Sequence, residues 1–162
     1  MTIAVESDML LNQENVVRYI VIHHSLTKDG IVNDWEAIRK YHIKTNGWRD
    51  IGYHFGVELY GGEYVLRYGR PVPFKGAHVG DGGFNDRSIG VCVVGNFDLE
   101  TVPPDQWKLA TKLVAYLRKS LGIPKNLVVG HGEAQALVGI HVSSRKSCPG
   151  KLFNMDTFRA EI

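Results

Sequence analysis

The sequence predicts a single α/β domain in which a mixed central β-sheet is flanked by helices. Three short apolar runs, at residues 18–24, 88–95 and 127–131, have the β-branched composition of strands that are buried on both faces. A segment between the last two runs carries apolar residues at helical spacing. Strands that alternate with helical segments indicate a sheet covered by helices. We therefore expect one domain over residues 1–162, with residues 1–17 as a polar lead-in.

The composition of the chain excludes several classes of function. The chain has 162 residues, of which 44% are hydrophobic and 22% charged, as in an ordinary globular domain. Its net charge is only +2 and its basic residues are scattered, so nucleic acid is not an expected partner. The two cysteines, Cys92 and Cys148, lie in different environments and do not form a disulfide framework. The sequence shows neither a transmembrane run nor a signal peptide, which predicts synthesis in the cytoplasm, and we expect a monomer.

The first half of the chain predicts a helix between a buried strand and a hairpin. Asn33 followed by Glu36 has the spacing of a helix N-cap. Gly61 and Gly62 stand between two apolar runs, where they favour a tight hairpin turn. The expected elements are a short helix at 8–13, a strand at 18–24, a helix at 34–44, and strands at 50–60 and 63–67.

The second half predicts two further buried strands around a long helix. Pro103 and Pro104 suit the start of that helix, and Gly122 suits its end. Asp156 is expected to cap a short final helix. The expected elements are a loop at 69–87, a strand at 88–95, a helix at 103–121, a strand at 127–131, and a polar connection at 132–147.

Two of the buried strands end in histidines, and a cysteine follows the second. His23 and His131 occupy these ends, and Cys148 comes 17 residues after His131. Two imidazoles and a thiolate can hold a zinc ion and leave a fourth position for water, which suits amide hydrolysis. Spacing alone is a weak signal, because histidines also cap strands without binding metal.

Six ordered blocks covering residues 18–153 resemble the peptidoglycan amidase and peptidoglycan-recognition-protein family. Together they are far more specific than any one block. The blocks are YIVIHHS (19–25), DIGYHF (50–55), GAH (76–78), NDRSIGV with VGNF (85–97), GH (130–131) and KSCPG (146–150).

The resemblance implies the family fold, a mixed sheet with its site at one end of the strands, and a role for each matching residue. It implies Zn²⁺ as the cofactor and peptidoglycan as the partner. The roles that it implies are metal ligand for His23, His131 and Cys148, catalytic residue for Tyr53 and Lys146, and substrate-binding residue for His78.

The implied activity is hydrolysis of the amide between N-acetylmuramic acid and L-alanine, most similar to phage endolysins of the amidase type. Such an enzyme is made in the host cytoplasm and reaches the wall after holin-type release. His141 is a rival ligand, because 16 residues separate His131 from Cys148 and His141 is nearer to the cysteine. Two other functions remain open: a non-catalytic wall-recognition module, and a metal-free hydrolase with Cys148 as nucleophile.

Overall fold

The computed structural model of the chain describes residues 17–30, 33–72 and 74–162 and has a five-stranded mixed sheet flanked by helices. This confirms the predicted fold class. The strands are β1 (Tyr19–His24), β2 (Phe55–Tyr60), β3 (Glu63–Tyr68), β4 (Ser88–Val93) and β5 (Val128–Gly130). The helices are α1 (Asp34–Lys44), α2 (Pro104–Leu121), α3 (His131–Leu137) and α4 (Met155–Glu161). The helix expected at residues 8–13 lies outside the described residues.

Strand β1 lies inside the sheet, whose order is β3-β2-β4-β1-β5. It pairs in parallel with both β4 and β5, with His23 opposite Cys92 and Ile22 opposite Gly130. Parallel strands end at the same edge of a sheet, so the residues that follow β5 emerge beside the end of β1. This register brings the His131 backbone close to His23.

The two faces of β1 pack against different layers, as strand alternation requires. Ile20 and Ile22 belong to the main core cluster, which α2 and α4 cover. Val21 packs in a separate cluster with Val129 on the opposite face, and His23 points to that same face. The site therefore lies on the face of the sheet opposite to α2.

Helix α2 closes the main core and ends where the sequence predicts. Ala110, Val114 and Leu117 of its apolar stripe are buried, and Gly122 adopts a φ of 67° just after its last residue. A left-handed residue at this position is the common way to end a helix. No helix in the described part of the chain is long and apolar enough to cross a lipid bilayer.

Three local predictions were wrong. The strand expected at 50–60 begins only at Phe55, because the preceding residues bend away to contact the 76–78 loop. The connection expected at 132–147 contains helix α3 and a short 3-10 helix, Val142–Ser144. The N-cap of α4 is Asn154, whose side chain accepts from the Thr157 backbone N–H, whereas Asp156 lies inside the helix.

A buried group of carboxylates fixes the loop between β1 and α1 to strand β2. The Leu59 backbone N–H donates to Asp29, the Gly30 N–H donates to Asp34, and the Trp35 N–H donates to Glu58. Because these oxygens are taken by backbone donors, the group acts as a structural clamp. One of its members, Asp34, lines the groove beside α1 that is described below.

Candidate metal centre

The structure brings His23, His131 and Cys148 together. One ligand atom from each lies within 4.8 Å of the others, and all three residues are buried. The Nδ1 atom of His23 is 3.6 Å from the Cys148 sulfur. His141 lies outside this group, since its exposed ring is bonded to the Ser143 hydroxyl at 2.8 Å.

The ligand from α3 is positioned by the start of that helix. His131 is the first residue of α3, and the Glu133 carboxylate accepts the Gly130 backbone N–H at 2.8 Å while Arg159 binds its oxygens. A Cβ at Gly132 would lie 2.4 Å from the Lys146 carbonyl oxygen, so only glycine permits this contact. The Gly132 N–H in turn donates to the Cys148 carbonyl at 3.0 Å, which joins α3 to the cysteine loop.

Burial keeps both imidazoles neutral. It lowers the pKa of His131 to about 4, and the nearby Lys146 charge acts in the same direction. Burial also lowers the pKa of His23 well below its ordinary value, with a further contribution from His78. Neutral imidazole is the form that binds a metal, so no proton has to leave either ring at pH 7.

Unlike the two imidazoles, the thiol of Cys148 is not in its metal-binding form at pH 7, because its pKa is raised. Burial raises its pKa to about 12, although the His24 backbone N–H favours the charged form. A buried thiol that stays protonated is a poor nucleophile, which disfavours a metal-free cysteine hydrolase. Two nitrogens and one sulfur that converge on one point are a donor set typical of catalytic zinc sites. The residues present therefore fit a zinc ion.

The three candidate ligands line a pocket of about 250 Å³. Tyr53 and Lys146, the two predicted catalytic residues, line the same pocket. Access to the ligands from one side is what a catalytic metal site requires, because one coordination position must remain for water or substrate.

Tyr53 lies in the loop before β2, with its ring centroid 5.2 Å from that of His23. Burial raises the pKa of its phenol well above the ordinary value of 10.0, and the nearby Cys92 adds to this effect. The hydroxyl therefore keeps its proton at neutral pH. In that form it is a hydrogen-bond donor, and the Cys92 side chain is one of its partners.

Lys146 is exposed at the rim of the pocket, two residues before the cysteine. Its backbone N–H donates to the Gln135 side chain at 2.7 Å, which fixes this part of the loop to α3. Its charge lowers the pKa of both His131 and His23, so the ammonium group acts electrostatically on the ligand cluster.

His78 also lines the pocket, but its ring is only slightly exposed. The Nδ1 atom of His78 is 2.9 Å from the Nε2 atom of His23. The structure thus places the predicted substrate-binding histidine directly against a candidate metal ligand.

The pocket continues into a larger groove of about 430 Å³ bounded by α1 and the β1–α1 loop. Sequence reasoning missed several residues of these walls, including Leu26, which is exposed and has a φ of 61°. Such a backbone angle is strained for leucine and is characteristic of functional sites. The missed lining residues are Leu26, His42, Asn46 and Trp48.

The chain is similar to several known proteins. A sequence profile described as N-acetylmuramoyl-L-alanine amidase matches residues 13–151. The endolysin of Enterobacteria phage K11 is 32% identical over 133 residues, covering 79% of this chain and 77% of the endolysin. Peptidoglycan-recognition protein LB of Drosophila melanogaster is 28% identical over 138 residues, or 82% of this chain. The chain spans only 54% of the length of that recognition protein.

Solved structures show the same fold. The N-acetylmuramoyl-L-alanine amidase LysC from Clostridium intestinale URNW matches with a TM-score of 0.72 and 28% identity. The match covers 91% of this chain and 85% of LysC.

Proposed function

Because the chain belongs to the N-acetylmuramoyl-L-alanine amidase family, we propose that it is a zinc-dependent hydrolase of peptidoglycan. The bond cleaved is the amide between the lactyl group of N-acetylmuramic acid and L-alanine. The observation that carries this proposal is the convergence of His23, His131 and Cys148 on the wall of an accessible pocket. A recognition module requires a groove for its ligand, but it does not require three metal-ligating side chains in the wall of that groove.

The residues of the pocket have distinct parts in the reaction. His23, His131 and Cys148 would hold a zinc ion, which would supply Lewis acidity toward the amide carbonyl and lower the pKa of water. The protonated Tyr53 hydroxyl donates a hydrogen bond to the carbonyl oxygen as negative charge develops there. Lys146 adds a positive charge at the rim, which stabilises the same developing charge.

The groove beside the pocket is the proposed path of the substrate. It shares Ser25, Leu26, His42 and Tyr53 with the metal pocket, so the two spaces are adjacent. We propose that the stem peptide and the sugar lie along these two adjacent spaces. His78 contributes to the pocket wall.

The phage relatives support a role as an endolysin, which acts on the wall of the host from inside. In that role the protein would be made in the host cytoplasm and released to the wall by a holin. The endolysin role rests on the phage relatives, and the route to the wall stays a prediction.

The decisive experiment measures zinc content and cell-wall hydrolysis on the same preparation. We expect about one zinc per chain, loss of turbidity of a wall suspension, and new L-alanine amino termini among the products. Chelation should abolish hydrolysis and added zinc should restore it. His131→Asn should lose zinc and activity, whereas His141→Asn, the matched control, should retain both.

Two outcomes would replace the proposal. Wall binding without hydrolysis, in a chain that binds no zinc, would make the protein a recognition module like some of its relatives. Full activity after chelation, lost in Cys148→Ser, would make the thiol a nucleophile.

A further inference from the structure

A buried row of hydrogen bonds connects the candidate metal ligand His23 to the backbone of the neighbouring loop. The Nε2 atom of His23 is 2.9 Å from Nδ1 of His78, and Nε2 of His78 is 3.4 Å from the Ser88 hydroxyl. The Ser88 hydroxyl lies 2.6 Å from the Phe84 carbonyl oxygen. His23, His78 and Ser88 are each less than 10% exposed, so bulk water does not compete for these bonds.

The far end of the row fixes the direction of every bond in it. A carbonyl oxygen only accepts, so the Ser88 hydroxyl must donate to Phe84. The hydroxyl oxygen then accepts from His78, whose proton must be on Nε2. With its proton there, Nδ1 of His78 can only accept, and so Nε2 of His23 must be the donor. The lone pair of His23 is thereby left on Nδ1.

Nδ1 is the nitrogen of His23 that faces the Cys148 sulfur. The row of bonds therefore selects the tautomer of His23 whose free lone pair points at the ligand cluster. In metal sites the hydrogen bond to the second ring nitrogen commonly sets both the tautomer and the ring orientation of a histidine ligand.

The surrounding chain is shaped to hold the His78 ring in this row. A Cβ at Gly90 would lie 2.6 Å from the ring, and a Cβ at Gly76 would lie equally close. The Asn85 side chain accepts the backbone N–H groups of both His78 and Val79, which fixes the backbone that carries the ring. Larger residues at the two glycines would displace the ring from His23.

We propose that His78 is a positioning residue, and that the row from His78 through Ser88 to the Phe84 carbonyl orients His23 for zinc binding through Nδ1. The proposal rests on the proposed zinc centre. It gives His78 a part in the site that does not require contact with the substrate.

The first test compares the zinc affinities of purified variants in competition with a chelator of known affinity. His78→Phe keeps a ring but removes the acceptor, and we expect zinc binding to weaken about 10–100-fold, as for other lost partners of histidine ligands. His78→Asn, whose side-chain oxygen can occupy the position of Nδ1, should stay within about threefold of wild type, because the acceptor remains. Ser88→Ala should fall between them.

His54→Phe is the matched control for loss of a buried imidazole. His54 is as buried as His23, but its ring bonds to the Gly90 N–H and the Phe74 carbonyl rather than to a candidate ligand. We expect its zinc affinity to stay near that of wild type. Because His54 bonds to Gly90, which packs against the His78 ring, the His23 tautomer is measured in the same variant. Equal weakening in His54→Phe and His78→Phe, with the His23 proton still on Nε2 in His54→Phe, would overturn the proposal, because it would show a general effect of losing a buried ring.

The second test needs neither metal nor activity. In the metal-free protein at pH 7, the ¹⁵N shifts of the His23 ring should show the proton on Nε2, and Ser88→Ala should show a mixture of tautomers. A proton on Nδ1 in the wild type would overturn the proposal, even if His78→Phe fails to fold. A wild type that binds no zinc would instead refute the proposed function, while the tautomer measurement would still decide whether the row fixes His23.

Discussion

The pH dependence of stability should carry a measurable contribution from His54. This side chain is 1% exposed, and both of its ring nitrogens are used in hydrogen bonds: Nδ1 accepts the Gly90 N–H, and Nε2 bonds to the Phe74 carbonyl. Burial lowers its pKa from 6.5 to about 4. The native protein therefore keeps the ring neutral at pH values where the unfolded chain has already taken up a proton.

The sign and the size of the His54 contribution to the free energy of unfolding follow from this difference in pKa. Above pH 6.5 neither state binds the proton, and the stability contributed by His54 is fully present. As the pH falls from 6.5 to 4, the unfolded state is favoured by about 1.4 kcal/mol for each pH unit. The loss at pH 4.5 is therefore about 2–3 kcal/mol for this one side chain.

The assay is urea unfolding of wild type and His54→Asn at pH 7 and pH 4.5, with a chelator present to exclude metal effects. We expect the variant to be less stable at pH 7, because it loses ring packing and a buried hydrogen bond. The difference in unfolding free energy between the two proteins should then shrink by about 2–3 kcal/mol at pH 4.5.

Comparing the unfolding free energies of wild type and His54→Asn cancels the pH-dependent contributions of the other titratable groups. Asp29 is one of these: burial raises its pKa to about 7, so its contribution is lost as the pH rises. A wild-type advantage over His54→Asn that is the same at both pH values would refute the reasoning.

Two further predictions concern the pocket and a third concerns the stability of the fold. Tyr53→Phe should lower kcat about 100-fold, as loss of one oxyanion donor does elsewhere, while the zinc affinity measured by titration stays unchanged. Lys146→Gln should lower kcat on the order of tenfold, with equal zinc content, because an exposed charge is partly screened by solvent. Gly52→Ala should destabilise the fold by about 2–3 kcal/mol in urea unfolding, since overpacking has costs of this size. The added Cβ would lie 2.2 Å from the Ala77 carbonyl oxygen, whereas Gly80→Ala meets nothing within 4 Å and is the control.

The sequence predicts the sheet well because its strands have a local signature. Strand β1 is a continuous β-branched run, and its composition alone indicates burial on both faces. Strand β4, with sequence SIGVCV, is also apolar for most of its length, and all of its residues are buried. Local pattern also predicts the hairpin, since Gly61 and Gly62 both adopt positive φ angles.

Helix α3 could not be found in this way. Its seven residues include Gly132, and only His131, Ala134 and Gln135 are buried. The Glu133 carboxylate accepts the Gly130 N–H three positions before it, which is a local contact, but Arg159 of α4 binds the same carboxylate from 26 positions away. The contact with Arg159 is invisible in a local pattern, so a short helix appeared as a polar connection.

The bent path of Tyr53 is a second example. The sequence predicted a strand through this residue, but β2 begins only at Phe55, and the Gly52 carbonyl instead accepts the Ala77 N–H of the neighbouring loop. The row of bonds behind His23 is equally non-local, because 55 positions separate His23 from His78. Only the folded chain shows that their rings meet.

The wide separation of the candidate ligands along the chain has a consequence for biosynthesis. His23 and Cys148 are 125 positions apart. At about 5–20 residues per second, a ribosome needs roughly 6–25 s to travel from the first to the second. Throughout that interval the nascent polypeptide carries an imidazole but no partner thiol from the cysteine loop, so an unfinished chain cannot assemble the three-ligand centre.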